Sequence, residues 1–183
     1  MVWMLLGLVA AVLVLLYVIV TYNNFVVWRN RIDNAWSQID VQLKRRFDLV
    51  PNLVETVKGY AKHEKDTFEM VTKARSALMG AQGVADKGKA SNMMTNALKS
   101  LFAVAEAYPQ LQANKNFTML QEELAGIESK IAYSRQFYND TVMQLNTAMQ
   151  RFPSSLVAGL LAIKQREYFE IEEAAREPVK VKF

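Results

Sequence analysis

Residues 2–20 read VWMLLGLVAAVLVLLYVIV, and no charged side chain occurs before Arg29. A helix rises about 1.5 Å per residue, so about 20 such residues cross a hydrocarbon core of about 30 Å. Trp3 near one end and Tyr17, Tyr22 and Trp28 near the other suit the aromatic belts of a membrane interface, and Leu5, Leu13 and Leu16 supply lipid-facing bulk. Two other readings compete. A cleaved signal peptide would place basic residues ahead of the apolar run and a small-x-small site behind it. Nothing basic precedes the run here, and Val20-Thr21-Tyr22-Asn23 is a poor cleavage site. A core helix of a soluble domain is rarely apolar all round over such a length. The stretch predicts a retained transmembrane anchor over residues 1–24.

The flanking charges predict an orientation. Arg29 and Arg31 follow the span, then Lys44, Arg45 and Arg46, with no Lys or Arg before it. The positive-inside rule then puts the N-terminus outside and the body in the cytoplasm.

Beyond the anchor the period changes to that of an amphipathic helix. Phe25, Ile32, Trp36, Ile39, Leu43, Phe47 and Val50 recur at steps of three, four and seven. Nothing breaks a helix between Val20 and Phe47, so the anchor is expected to run straight into the first bundle helix. Asp48-Leu49-Val50-Pro51 predicts a turn or kink, because proline disfavours helical geometry at the residue before it. A second helix is expected from Pro51 to Met79. The glycine-rich residues 80–90 read as a connection, followed by a shorter helix over Ser91–Ala107 and a turn at Pro109 and Asn114–Asn116. A fourth helix carries Phe117, Leu120, Leu124, Ile127, Ile131, Tyr138, Val142, Leu145 and Met149, and stops at Phe152-Pro153. Ser154-Ser155 is placed to cap a short apolar helix over Leu156–Ile163. A polar helix through Ala175 and an extended tail at Val179–Phe183 complete the reading.

The expected fold is all-α: an N-terminal transmembrane helix, an antiparallel long four-helix bundle over residues 25–152, and a short helical C-terminal tail over 153–183. Seven glycines and four prolines in 183 residues leave few interruptions, which favours long helices. With no cysteine, neither a disulfide framework nor a thiolate metal site can form. The net charge of +4 permits contact with anionic lipid without demanding it.

Two stretches carry a family resemblance. Residues 39–60, IDVQLKRRFDLVPNLVETVKGY, resemble the signature of the LemA family, and Phe152-Pro153-Ser154-Ser155 through Arg166-Glu167-Tyr168-Phe169 is similar to its C-terminal block. With the anchor and the Tyr22-Asn23-Asn24 junction, the likeness covers essentially the whole chain. At Leu161-Ala162-Ile163 the sequence departs from the Phe and Gly more usual there, which bears on local packing. The resemblance implies a bacterial, occasionally archaeal, membrane protein with a long-helix bundle. It brings no reaction with it, and some relatives are tied to membrane remodelling and compartment formation.

The residues themselves offer little chemistry. His63 is the single histidine; a di-iron bundle site needs Glu-x-x-His on two helices, and position 60 is Tyr. One histidine does not make a Ser-His-Asp set. The glycines at 80, 83 and 88 follow no strand and lack the Gly-Lys-Ser/Thr ending of a phosphate loop. No enzyme, cofactor or metal site is expected.

Lys44, Arg45 and Arg46 admit two readings. One is contact with anionic lipid or nucleic acid. In a continuous helix, however, residue 45 lies about 35 Å beyond the membrane edge, several times the Debye length of about 8 Å. The other is pairing with Asp40, Asp48 and acids on a neighbouring helix. Nucleic acid binding is not expected, since the net charge forms no basic face. Asn52, Glu55 and Lys58 form a polar seam that is either an exposed face or a buried network. The nine methionines read as adaptable core filler.

The functional expectation is a non-enzymatic scaffold that self-associates as a homo-oligomer to organise or remodel the lipid bilayer, with Asp40, Lys44, Arg45, Arg46, Asn52 and Glu55 as candidate assembly residues. The alternative is a tethered adaptor for a membrane protease or signalling partner. An apolar strip left along the first helices favours the scaffold, and a groove near Leu156–Ile163 favours the adaptor.

Overall fold

The computed structural model describes residues 1–169. All its regular elements are helices: α1 (Val2–Lys58), α2 (Lys65–Gly80), α3 (Gly83–Glu106), α4 (Pro109–Gln112), α5 (Lys115–Gln150) and α6 (Ser154–Leu160). The all-helical expectation is met.

Helix α1 is uninterrupted for 57 residues. Its character changes at Thr21. Before that point every side chain except the half-buried Val18 is exposed; after it, Thr21, Phe25, Ile32, Ala35, Ile39, Leu43, Arg46, Val50, Leu53 and Val57 are buried. With half-buried Trp28 included, these positions alternate between steps of four and three, apart from one pair of fours at Ala35-Ile39-Leu43. That is the stripe of an amphipathic helix with one extra four-residue step.

The expected break at Asp48–Pro51 does not occur. Pro51 lies inside α1. A proline in a helix interior costs about 3 kcal/mol. Val50, Leu53 and Val57 are fully buried around it, and each contributes about 1.5–3 kcal/mol by leaving water. Burial outweighs the local preference. The chain turns instead at residues 59–64, after Gly59, where the Tyr60 and Ala61 N–H groups close on the Val57 carbonyl.

The glycine-rich stretch also differs from expectation. Only Ala81 and Gln82 separate α2 from α3, and α3 opens at Gly83 with φ +78°, a left-handed conformation that glycine adopts without strain. Helix α5 starts at a true cap: the Asn114 carboxamide oxygen accepts from the N–H groups of Asn116 (2.9 Å) and Phe117 (3.3 Å). Ser154 is not a cap of α6. It is that helix's first residue, and its hydroxyl donates to the Arg151 carbonyl at 2.9 Å. No helix continues over 164–169; the rest of the expected polar helix and the tail at Val179–Phe183 lie outside the described residues.

Two compact units emerge. The first comprises Met1–Ser37 and Gln136–Glu167, the second Gln38–Arg135 with Tyr168 and Phe169. In the first, Phe25, Ile32, Tyr138, Val142, Leu145 and Val157 form the interior. Asn146 holds the segment after α6 by a reciprocal amide pair, donating to the Arg166 carbonyl (2.9 Å) and accepting from its N–H (3.0 Å). The second unit is a helical bundle. Its core joins Val50, Leu53 and Val57 of α1 to Val71 and Ala74 of α2, Met94, Leu98 and Leu101 of α3, Leu111 of α4, and Phe117 and Leu124 of α5.

Candidate functional site

Arg46 is the least expected residue of the second unit. It occupies a core position of α1, three residues after Leu43 and four before Val50, and is 0 % exposed. A buried guanidinium is tolerable only when paired and hydrogen-bonded. Its Nη1 donates to Glu128 (2.7 Å) and to the Thr95 hydroxyl (3.1 Å); its Nη2 donates to the Ser91 hydroxyl (2.8 Å) and the Ser91 carbonyl (3.3 Å). Thr95 and Ser91 stand one turn apart on α3, and Glu128 comes from α5, so one side chain of α1 fastens three helices. Nε of Arg46 and Nε of Arg135 are buried without a partner. Burial holds the Arg135 guanidinium below its ordinary pKa; the Glu128 carboxylate opposes that shift and the Arg46 charge reinforces it.

The remaining candidate residues lie outside that core. Asp40 is exposed and pairs with Lys87 of α3. Lys44 pairs with Asp48 one turn on, at 3.2 Å. Arg45 is exposed, Asn52 is exposed, and Glu55 pairs with Lys58 at 3.1 Å on the exposed side of α1. The Asn52–Glu55–Lys58 seam is therefore a solvated face. Asp40, Lys44 and Lys87 rim a shallow cleft of ≈ 240 Å³ floored by Leu43, Phe47 and Leu78. The Arg75 guanidinium covers the Phe47 ring at 4.4 Å, which accounts for a half-buried phenylalanine beside a core arginine. His63 is exposed.

In the first unit the anchor residues Trp3, Leu5, Leu13, Leu16, Tyr17 and Tyr22 are all exposed. Tyr138 is buried; its hydroxyl donates to the Glu167 carbonyl (2.9 Å) and its ring meets Trp36 at 5.8 Å. Arg166 pairs with Asp33 at 2.8 Å. Sequence reading offered an acid on a neighbouring helix as a partner for this cluster without identifying Glu128, passed over Arg46 as a core residue, and missed Ser91 and Thr95 as partners. The three-four spacing between Leu43 and Val50 was the signal for Arg46. For its partners, 45 to 82 residues away in the chain, periodicity carries no signal.

These features define a membrane-associated, all-helical protein whose long first helix passes from an exposed apolar segment into a helical body. Residues 35–183 match the LemA family, and the chain belongs to that family. It is similar to "Magnetosome protein MamQ 2" of Paramagnetospirillum magneticum and to "Magnetosome protein MamQ" of Magnetospirillum gryphiswaldense, each 26% identical over 184 residues covering 86% of this chain and 68% of the relative. It also resembles "Protein LemA" of Metamycoplasma hominis, at 27% identity over 156 residues covering 81% of this chain and 68% of that protein.

Proposed function

We infer that the protein is a single-pass, non-enzymatic scaffold that self-associates to organise the membrane holding it, with its body on the cytoplasmic side. The observation that carries this reading is the apolar surface left over once the helical body is closed. The whole circumference of residues 2–17 is exposed, Gly7 has nothing within 4 Å of where a side chain would begin, and Ala11 stands one turn on. Small residues four apart let transmembrane helices approach closely. On α5, Met119, Gly126 and Tyr133 lie on one exposed face at steps of seven. The buried Arg46 and its half-buried partner Glu128 join helices, which favours structure over catalysis. Arg29 and Arg31 after the span favour the cytoplasmic orientation. Relatives named as magnetosome proteins are in keeping with a membrane-organising role.

The test is the mass of the full-length chain in mild detergent, by light scattering with detergent subtracted. A uniform oligomer larger than a dimer, reduced by Gly7→Leu, is the expected result. A monomer or dimer, with or without that substitution, removes the scaffold reading and leaves the tethered adaptor, with the groove beside Leu156 and Leu160 as its docking surface.

A further inference from the structure

Helix α6 closes one side of the first unit with Val157 and Ala158, which are buried, and turns its other side outward. That outer side is strongly apolar. Phe152 is 82% exposed, Leu160 83%, and Leu156 and Leu161 are exposed as well. Chain segment 152–163 carries no charge and is bracketed by Arg151 and Lys164. In water such a ridge would be a liability.

Its neighbour is the apolar part of α1. A groove of ≈ 510 Å³ has Leu13 and Tyr17 of α1 on one wall and Leu156 and Leu160 on the other. If Leu13–Val18 lies in hydrocarbon, whatever shares that groove lies there too. A second cleft, of ≈ 440 Å³, is lined by Arg29, Lys164 and Arg166. Along α1 at about 1.5 Å per residue, a hydrocarbon edge near Tyr22 leaves Tyr17 about 8 Å inside it and Arg29 about 10 Å outside it, where a long cationic side chain reaches back to the phosphates. The cations therefore fall at headgroup level when the groove is in the acyl layer.

A segment that faces lipid must satisfy its own backbone, because hydrocarbon offers no partners. The α6 segment pairs part of its backbone at both ends. The Ser155 and Leu156 N–H groups donate to Arg151 and Pro153 carbonyls, and those of Leu161, Ala162 and Ile163 donate to Val157, Gly159 and Ala158 carbonyls.

We propose that residues 152–163 are a second membrane element, a short helix inserted into the leaflet on the body's side of the bilayer that α1 crosses. Phe152, Leu156 and Leu160 contact acyl chains, and Arg29 and Lys164 meet the lipid phosphates. The inference rests on α1 spanning the membrane. Each copy then widens one leaflet and not the other, which gives a scaffold a means of bending lipid.

The absence of cysteine makes single labels unambiguous. Leu160→Cys and Leu13→Cys, each carrying an environment-sensitive fluorophore, are compared in the full chain reconstituted in phosphatidylcholine–phosphatidylglycerol vesicles. Leu160 is exposed, so the label displaces no core group. The expected result is several-fold stronger quenching of both labels by acyl-chain spin-labelled lipid than by aqueous iodide. If Leu13→Cys behaves so but Leu160→Cys is quenched by iodide, α6 is in water and the inference is overturned while the anchor stands. A Leu160→Cys label shielded from both quenchers is covered by protein, which equally overturns it. Iodide quenching of Leu13→Cys removes the spanning anchor, and the inference with it.

Discussion

The first unit turns Phe152, Leu156 and Leu160 outward, while the second encloses the guanidinium of Arg46. Each reverses the usual partition of apolar and charged groups, and the reversals have different physical origins. Around α6 the surroundings change: a leucine beside a membrane helix is outside the protein without being in water. Around Arg46 the guanidinium is enclosed, and the charge is accommodated by four hydrogen bonds from two nitrogens to Glu128, Thr95 and Ser91. Exposure thus has to be interpreted against the solvent, and burial against the partners supplied.

The largest expected effect comes from removing the carboxylate in the second unit. Glu128→Ala leaves Arg46 buried with neutral partners only, and stripping one member of a buried pair costs about 3–5 kcal/mol. The lower end is expected, because the Glu128 side chain is 34% exposed and Ser91 and Thr95 remain. Arg46→Met removes the charge itself and should cost much less, since an apolar side chain of similar length suits a stripe position. Urea unfolding of the full chain in detergent, followed by helical circular dichroism, gives both values. Equal losses for the two variants would mean that Arg46 is not held as a dry ion pair, and the contrast with α6 would weaken.

Helix α1, which runs through both units, shows what sequence alone could reveal. Phe25, Ile32, Ile39, Leu43 and Val50 were legible as a stripe and are buried. Trp36 and Phe47, placed in the stripe as apolar residues at helical steps, stand half-buried at its edge, while Ala35 and Arg46 occupy the centre. Asp48–Pro51 misled because local preference was weighed without the core that overrides it. The Lys44–Asp48 pair was readable from helical spacing, whereas Lys87 and Glu128 could not be matched to Asp40 and Arg46 from one sequence. In the first unit an apolar helix after Ser154 was readable, but its place beside Leu13 and Tyr17 was not.

A smaller effect should come from Pro51. Pro51→Ala restores an N–H inside α1, near its C-terminal end and facing the Phe47 carbonyl, and relieves part of the cost of about 3 kcal/mol. Losing proline also frees the unfolded chain by about 0.4–1 kcal/mol, so a net gain of about 1–2 kcal/mol is expected. The readout is a raised urea midpoint with an unchanged slope. A loss of stability would mean that the ring itself packs in the core of the second unit and that Val50, Leu53 and Val57 are not sufficient to hold the helix.

Tyr138 brings the comparison back to the first unit, where a buried polar group is neutral instead of charged. Burial raises its phenol above the ordinary value near 10; Arg166 works against the shift, and Glu167 and Asp33 add to it. A proton held more tightly in the folded chain than in the unfolded one stabilises the fold only while bound. Stability should therefore be intact below about pH 10 and decline as pH climbs through the raised value. Tyr138→Phe removes the bond to the Glu167 carbonyl at a cost of about 1 kcal/mol and should flatten the alkaline decline. Unfolding measured at pH 8 and pH 11 separates the two effects. An unaltered decline would assign it to other groups.

The smallest effect sets one ion pair against another. Arg166–Asp33 in the first unit and Arg46–Glu128 in the second have nearly the same length, 2.8 and 2.7 Å, but Arg166 and Asp33 are both substantially exposed. Water screens the first pair, and exposed pairs are worth about 0–1 kcal/mol. Asp33→Asn should cost about 0.5 kcal/mol or less in low salt and nothing measurable in 1 M salt, where the Debye length falls to about 3 Å. The cost of Glu128→Ala should survive the same salt, because ions do not enter a dry core. If both costs fade together, the Arg46 site is wet, and it is hydration, not the pairing of helices, that makes its charge tolerable.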